Sequence, residues 1–101
     1  MTAYVIANVK VSDPERYKGY QALSPGAVAA AGGRFIVRGG ALEVLEGNWQ
    51  PGRLVVLEFE TMAAARAFYD SELYRQARAA RAGATESFDM VCVEGVPAPG
   101  Q

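Results

Sequence analysis

Apolar and β-branched residues are grouped in short runs that predict four β-strands. The first run is Ala3 to Val11, the second is Arg34 to Arg38 between two glycine pairs, the third is Arg53 to Phe59, and the fourth is Phe88 to Glu94. Leu42 to Glu46 has the same character, and we expect it to continue the second strand beyond Gly39-Gly40. Because side chains alternate along a strand, each run also predicts which residues share a face of the sheet.

Helix-start signals stand between these runs. Asp13-Pro14-Glu15 combines a capping side chain, a proline suited to the first helical position and an acidic residue at the positive end of the helix dipole. Pro25-Gly26 is expected to interrupt this helix. Thr61 and Ser71 are capping residues for two further helical pieces, and Gly83 is expected to end the second of them.

The predicted order of elements is βαββαβ, which is the split βαβ or ferredoxin-like arrangement of an α+β domain. Right-handed crossovers place both helical layers on one face of a four-stranded antiparallel sheet, with the first and third strands in the centre. Residues 1–95 form this single domain, and residues 96–101 form a C-terminal tail. The two central strands are apolar on both faces, so the face without helices requires cover. A second copy of the chain, packed sheet to sheet, is the simplest cover.

Strand alternation in the second run places Phe35 and Val37 on one face, and Arg34, Ile36 and Arg38 on the other. Two arginines beside an isoleucine suggest a polar site on an otherwise buried face. The glycine pair after Arg38 would allow the backbone to bend and to open space beside that arginine.

Polar exceptions within the apolar strands are the main candidates for a binding site: Asn8, Arg34, Arg38 and Glu58. If they share the dimer cleft, the arginines would hold the carboxylate of Glu58 ionised, and that carboxylate could bind or deprotonate a small acidic molecule. An arginine could also bind a substrate carboxylate. The alternative is a structural ion pair that orients the dimer. The register does not follow from the sequence, so either arginine could be the partner of Glu58.

Trp49 lies in a loop, and together with Tyr4 it could form the wall of a pocket at the mouth of the cleft. The alternative is that Trp49 is a hydrophobic plug or a dimer anchor. Cys92 alternates with Met90 and is expected to be a small buried hydrophobic residue. Arg81 could reach the edge of the sheet from its helix.

Composition narrows the classes of function. The chain has 101 residues, a formal net charge of −1, no histidine and one cysteine. The balanced charge offers no basic surface for nucleic acid, and no apolar run is long enough to span a membrane. Without histidine or a cysteine cluster we expect no metal site, no cofactor and no disulfide. A soluble cytoplasmic protein is the expectation.

Segments in order along nearly the whole chain carry a family resemblance: Tyr4 with Asp13-Pro14-Glu15-Arg16-Tyr17, Gly32-Gly33-Arg34-Phe35, Val37-Arg38-Gly39-Gly40, Leu45-Glu46-Gly47, Arg53 to Phe59, Tyr69 to Tyr74, and Glu94-Gly95. On these segments the sequence resembles a small bacterial family of unknown function in the dimeric α+β barrel superfamily. The resemblance implies a ferredoxin-like protomer and a homodimer whose two sheets pack as a barrel and enclose a cleft. It implies no particular activity.

Two hypotheses of function remain at this point. In the first, the dimer cleft binds or transforms a small anionic or enolisable organic molecule without metal or histidine. In the second, the protein is a non-catalytic dimeric module, either structural or ligand-binding. An open, polar-lined pocket would favour the first hypothesis, and a space filled by side chains would favour the second.

Overall fold

The computed structural model describes residues 1–97, in which four strands and three helices follow one another in the predicted βαββαβ order, with the second helical layer divided into two helices. The strands are β1 (Ala3–Val11), β2 (Arg34–Arg38), β3 (Arg53–Phe59) and β4 (Thr85–Glu94), and the helices are α1 (Pro14–Ala30), α2 (Met62–Asp70) and α3 (Glu72–Ala80). The strands form one antiparallel sheet in the order β2-β3-β1-β4. The central position of β1 and β3 is therefore confirmed, and β4 begins earlier than predicted.

The predicted helix caps are also confirmed. The Asp13 side chain accepts a hydrogen bond from the backbone N–H of Arg16, and the Thr61 hydroxyl accepts one from Ala64. Ser71 both ends α2 and begins α3, because its hydroxyl donates to the Phe68 carbonyl and accepts from the Tyr74 N–H. These side chains satisfy backbone groups that have no partner within the helix.

The predicted interruption at Pro25 is wrong, because α1 continues through it to Ala30. A proline inside a helix removes one backbone hydrogen bond and costs about 3 kcal/mol. The second half of α1 buries Ala27 and Val28 almost completely against the sheet. This burial offsets the cost of the proline. The sequence prediction considered only the local helix-breaking effect of proline and not the burial of the helix.

The predicted strand from Leu42 to Glu46 is absent in the protomer. Residues 41–50 lie outside regular structure and are exposed throughout. A strand requires a neighbour for its backbone hydrogen bonds, and the ladder between β2 and β3 ends where the Gly39 N–H donates to the Leu54 carbonyl. Beyond that point this segment has no neighbouring strand.

The helices cover one face of the sheet and leave the other face open. The covered face holds the core, in which Val9, Phe59, Phe68 and Tyr74 are fully buried. The open face consists of the alternate residues of each strand. Its apolar members, which we call the open-face patch, are Ile6, Val37, Leu54, Val56, Val91 and Val93. Among the described residues, no helix has the length and apolar character needed to cross a membrane.

A bulge in β2 corrects the predicted assignment of its faces. Phe35 pairs with Leu57, whereas Val37 pairs with Val56, so the register shifts by one residue at Ile36. A bulge of this kind exchanges the faces of all residues that follow it. Arg34 therefore lies on the open face, and Arg38 lies on the helix-covered face together with Phe35.

Candidate functional site

A cavity lies between α1 and the covered face of the sheet. Helix α1 contributes Tyr17, Tyr20, Gln21 and Ser24, which recur at helical spacing and so share one side of the helix. The sheet contributes mainly apolar side chains, together with Arg38 and Arg53. The interior measures about 30 Å³, which is room for one or two water molecules. The side chains that line it include no carboxylate.

Arg38 and Arg53 give this cavity its positive charge. The Arg38 guanidinium lies 4.4 Å from the centre of the Phe35 ring, where a cation is attracted to the face of the aromatic ring. The guanidinium of Arg53 lies against the backbone of Gly39, where a Cβ atom would collide with it. Within residues 1–97, neither arginine forms an ion pair with a carboxylate. Their charges are therefore available to an anion.

Tyr17 is a titratable side chain of α1 that lines the cavity together with these arginines. Burial raises the pKa of Tyr17 above its usual value, and the positive charges of Arg53, Arg81 and Arg38 oppose this rise without cancelling it. The phenol is therefore protonated at neutral pH and can donate a hydrogen bond. A neutral donor beside two cations is suited to binding an anion.

Tyr20 is already engaged in the core. Its hydroxyl and that of Tyr74 are 2.7 Å apart and buried. Burial, followed by the neighbouring Tyr74 hydroxyl, strongly raises the pKa of Tyr20. This hydrogen bond ties α1 to α3 and fixes the side of α1 that lines the cavity.

The residues predicted for the site lie in different parts of the protomer. Arg34 and Glu58 meet on the open face, where Arg34 Nε donates to Glu58 Oε1 at 2.9 Å. This identifies Arg34 as the arginine that pairs with Glu58. The Arg34 side chain is 70% exposed and that of Glu58 is 27% exposed, so the pair is half-covered in the protomer. Arg38 is on the opposite side of the sheet, at the cavity.

Asn8 and Trp49 belong neither to the ion pair of Arg34 and Glu58 nor to the lining of the cavity. Asn8 Oδ1 accepts a hydrogen bond from the Gly52 N–H at 2.8 Å, at the beginning of β3. Asn8 thus holds the end of the segment that connects β2 to β3. Trp49 belongs to that segment, is 61% exposed and does not line the cavity.

Sequence reasoning missed Arg53, Tyr17 and Ser24 as lining residues of the cavity. The spacing of Tyr17, Tyr20 and Ser24 along α1 was a signal, because residues three or four positions apart share a helical face. For Arg53 there was no comparable signal, because its contact with Gly39 depends on where the strand ladder ends.

Two expectations about β4 have different outcomes. Arg81 does reach the sheet, since its guanidinium lies 3.6 Å from the centre of the Phe88 ring. Cys92 is exposed rather than buried, because α2 leaves the edge of the sheet partly uncovered. The Cys92 thiol contacts the Met62 sulfur at 3.6 Å. These residues border a groove between α2 and β4.

No metal centre is formed by the described part of the chain, in which no three histidine, cysteine, aspartate or glutamate side chains converge. The cavity offers arginine, tyrosine, serine and glutamine side chains. Of these, the two guanidinium groups and the neutral phenol are donors to an anion and poor ligands for a cation.

Two solved structures of other proteins have a fold similar to that of this protomer. A protein of unknown function from Rhodopseudomonas palustris is 18% identical, with a TM-score of 0.73 over 96% of this chain and 84% of that chain. A dimeric ferredoxin-like protein of unknown function from Jannaschia sp. CCS1 is 13% identical, with a TM-score of 0.74 over 94% of this chain and 100% of that chain. The protomer described here therefore has a ferredoxin-like α+β fold.

The family follows from a match over nearly the whole chain. The model of the family described as a domain of unknown function, DUF1330, matches residues 2–96, and the chain belongs to this family. No curated protein matches the chain significantly. A proposed antibiotic biosynthesis monooxygenase from Caulobacter crescentus is 16% identical, with a TM-score of 0.63 over 95% of this chain and 91% of that chain. At that identity the similarity shows the fold alone.

Proposed function

We propose that the protein is a homodimer in which each protomer binds a small organic anion in the cavity between α1 and the sheet. The observation that carries the ligand class is the pair Arg38 and Arg53, which line a cavity without a carboxylate and have no ion-pair partner among the described residues. Arg38 is exposed and Arg53 is partly buried, and guanidinium groups without a carboxylate partner are suited to binding an anion.

The small interior limits the size of the ligand. About 30 Å³ accommodates a water molecule or a methyl group rather than a ring. A short carboxylic acid fits a cavity of this size. Its carboxylate would lie between the two guanidinium groups, and its short apolar part would point toward the interior. Arginine can hold a carboxylate through two parallel hydrogen bonds, and Tyr17 adds a neutral donor.

Binding, rather than chemical transformation, is the function that the cavity supports best. Deprotonation of an enolisable molecule requires a base within hydrogen-bond reach. The chain has no histidine, and the cavity lining includes neither carboxylate nor lysine. Tyr17 is a poor base because it is protonated at neutral pH. The cleft hypothesis based on Glu58 would place a carboxylate on the open face, on the far side of the sheet from this cavity.

The dimer is supported by the open-face patch. Isolated soluble domains rarely expose a continuous apolar surface of this kind, and the structural neighbours from Jannaschia sp. and Thermobifida fusca are described as dimeric. Sheet-to-sheet packing of two protomers would cover the patch. The ion pair between Arg34 and Glu58, on the same face, would then lie within the interface and orient the two copies.

A thermal-shift screen with acetate, pyruvate, malonate and benzoate tests the ligand class. A ligand at ten times its Kd stabilises the native state by about 1.4 kcal/mol, which raises the Tm of a domain of this size by several degrees. We expect the smaller acids to give this rise, and the rise to disappear in Arg38→Met and in Arg53→Met. Arg75→Met, which alters an exposed arginine on α3, is the control. If no acid changes the Tm, or if Arg38→Met and Arg53→Met respond like the parent, the proposal is wrong.

Sedimentation equilibrium at micromolar concentration tests the dimer separately. We expect twice the monomer mass for the parent and the monomer mass for Val56→Lys, which places a charge within the open-face patch. Ala29→Lys, on the exposed side of α1, should remain dimeric. A folded parent with the monomer mass would contradict the dimer.

A further inference from the structure

A groove between α2 and the covered face of β4 is a second concave surface, on the other side of the core from Arg38 and Arg53. Its volume is about 760 Å³, within the range of about 300–1,000 Å³ that is typical of sites for small organic molecules. The groove lies on the helix side of the sheet, so packing of two open faces would leave it accessible. It is large enough for a molecule that the interior of the cavity, at about 30 Å³, cannot hold.

Apolar side chains form most of the groove wall. Helix α2 contributes Met62 and Phe68, and the covered face of β4 contributes Phe88 and Met90. Asp89 also borders the groove, but it alternates with Phe88 and Met90 along β4 and so belongs to the open face. The wall therefore offers aromatic and thioether surface, which is suited to an aromatic or similarly apolar molecule.

Arg81 gives the groove a positive charge that no carboxylate of residues 1–97 compensates. Its guanidinium lies 3.6 Å from the centre of the Phe88 ring and 5.4 Å from the centre of the Tyr20 ring. In this part of the chain, the guanidinium forms no ion pair and its buried Nε atom has no hydrogen-bond partner. A guanidinium held against aromatic rings keeps its remaining donors in a fixed orientation. An anion bound at the terminal nitrogens would compensate the charge.

Arg66, the other arginine that borders the groove, already has a partner. Its Nε atom donates to Asp70 Oδ2 at 3.2 Å, one turn further along α2, and both side chains are exposed. Its charge is thus compensated within its own helix. Arg66 is therefore a matched control for Arg81, because it is an arginine at the same groove whose charge is not left over.

We propose that the groove binds an amphipathic organic acid, whose apolar body lies against Phe88 and Met90 and whose carboxylate is held by Arg81. Arginine binds carboxylates through charge-assisted hydrogen bonds, and apolar walls favour a ligand with a ring-sized apolar part. The cavity and the groove share apolar wall residues but no arginine, since Arg38 and Arg53 line only the cavity and Arg81 lines only the groove. Each site can therefore be tested without the other.

Cys92 is a built-in reporter for this site, because it is exposed, lies at the groove and is the single cysteine of the chain. We expect α-naphthylacetate to slow the alkylation of Cys92 by iodoacetamide with a saturable concentration dependence. α-Naphthylacetamide has the same rings without the charge, and its half-saturating concentration should be at least about tenfold higher, since it lacks a hydrogen bond between two charged groups. Acetate, which has the charge without the apolar body, should give no protection.

Two arginine variants identify the residue that holds the carboxylate. In Arg81→Met, the half-saturating concentration of α-naphthylacetate should rise by at least about tenfold. In Arg66→Met, it should stay within about twofold of the parent value, because an exposed ion pair contributes little. Circular dichroism shows whether each variant is folded.

The possible outcomes separate this site from the cavity. If α-naphthylacetate does not protect Cys92 up to its limit of solubility, or if the acid and the amide protect equally, the proposal is wrong. Equal protection in Arg81→Met and the parent also overturns it. If Arg81→Met does not fold, the comparison of the acid with the amide in the parent decides. If the short acids fail to change the Tm while α-naphthylacetate protects Cys92, the proposed function falls and the groove site stands.

Discussion

Arg34 and Arg38 lie on opposite faces of the sheet although they are four residues apart on the same strand. The cause is the bulge at Ile36, which shifts the pairing of β2 with β3 by one residue. Arg34 pairs with Glu58 on the open face, whereas Arg38 stacks on Phe35 at the cavity. The two arginines therefore serve different surfaces: one belongs to the proposed dimer interface and the other to the proposed anion site.

The ion pair on the open face should matter for association of the two copies. We expect Glu58→Gln to raise the dissociation constant of the dimer by about tenfold or more, since loss of one partner leaves the Arg34 charge uncompensated within an interface. Dilution series followed by analytical ultracentrifugation would measure the change. Glu72→Gln removes the partner of an exposed ion pair on α3 and should leave association unchanged. If Glu58→Gln and the parent have equal dissociation constants, this ion pair does not contribute to the dimer interface.

The hydrogen bond between the Tyr20 and Tyr74 hydroxyls should contribute to folding. Tyr20→Phe leaves a buried hydroxyl on Tyr74 without a partner, at a cost of about 1–3 kcal/mol in the free energy of unfolding. The double variant Tyr20→Phe/Tyr74→Phe removes both hydroxyls and should recover part of that loss. Urea unfolding of the two single variants and the double variant measures the coupling. Strictly additive losses would show that the two hydroxyls do not stabilise each other.

Alkaline pH should destabilise the protein through the buried tyrosines. The pKa values of Tyr17 and Tyr20 are raised in the folded state from a usual value of 10.0. Below pH 10 both states keep these protons, and the stabilisation is fully present. Above pH 10 the unfolded state releases its protons more readily, so the stability decreases as pH rises. We expect Tyr20→Phe to lose less unfolding free energy than the parent between pH 9 and pH 11. Equal losses would mean that Tyr20 titrates normally.

Gly33 is required by a close approach rather than by a turn. A Cβ atom at this position would collide with the Phe59 ring, which is fully buried in the core. We expect Gly33→Ala to lower the free energy of unfolding by about 1–3 kcal/mol. At Gly26, within α1, a Cβ atom meets nothing within 4 Å, and Gly26→Ala should stabilise by about 0.5–1 kcal/mol. A neutral Gly33→Ala would mean that Phe59 moves at no cost.

The sequence contained most of the information about the fold and little about the site. The caps at Asp13, Thr61 and Ser71 are local signals, and the structure confirms each of them. Strand order followed from the element order and the handedness of crossovers. These features depend on residues close together in the chain or on general rules of topology.

The site depended on interactions that the sequence does not show. The bulge at Ile36 is a property of two paired strands, and it reversed the predicted face of Arg38. Continuation of α1 through Pro25 depended on burial of the helix against the sheet. The missing strand at Leu42 to Glu46 needs a neighbour that the protomer lacks, although its pattern is that of a strand. In each case tertiary or quaternary contacts outweigh a correct local rule.

The most direct test of the anion site is nuclear magnetic resonance of the arginine side chains during titration with acetate, pyruvate, malonate and benzoate in turn. The Nε–Hε signals can be assigned from single arginine-to-lysine variants. The account predicts that at least one acid shifts the Arg38 and Arg53 signals together, with one saturation curve, and leaves those of Arg66 and Arg75 on the helices unchanged. Shifts at Arg34 alone, or no shift at Arg38 and Arg53 with any of the four acids, would contradict it.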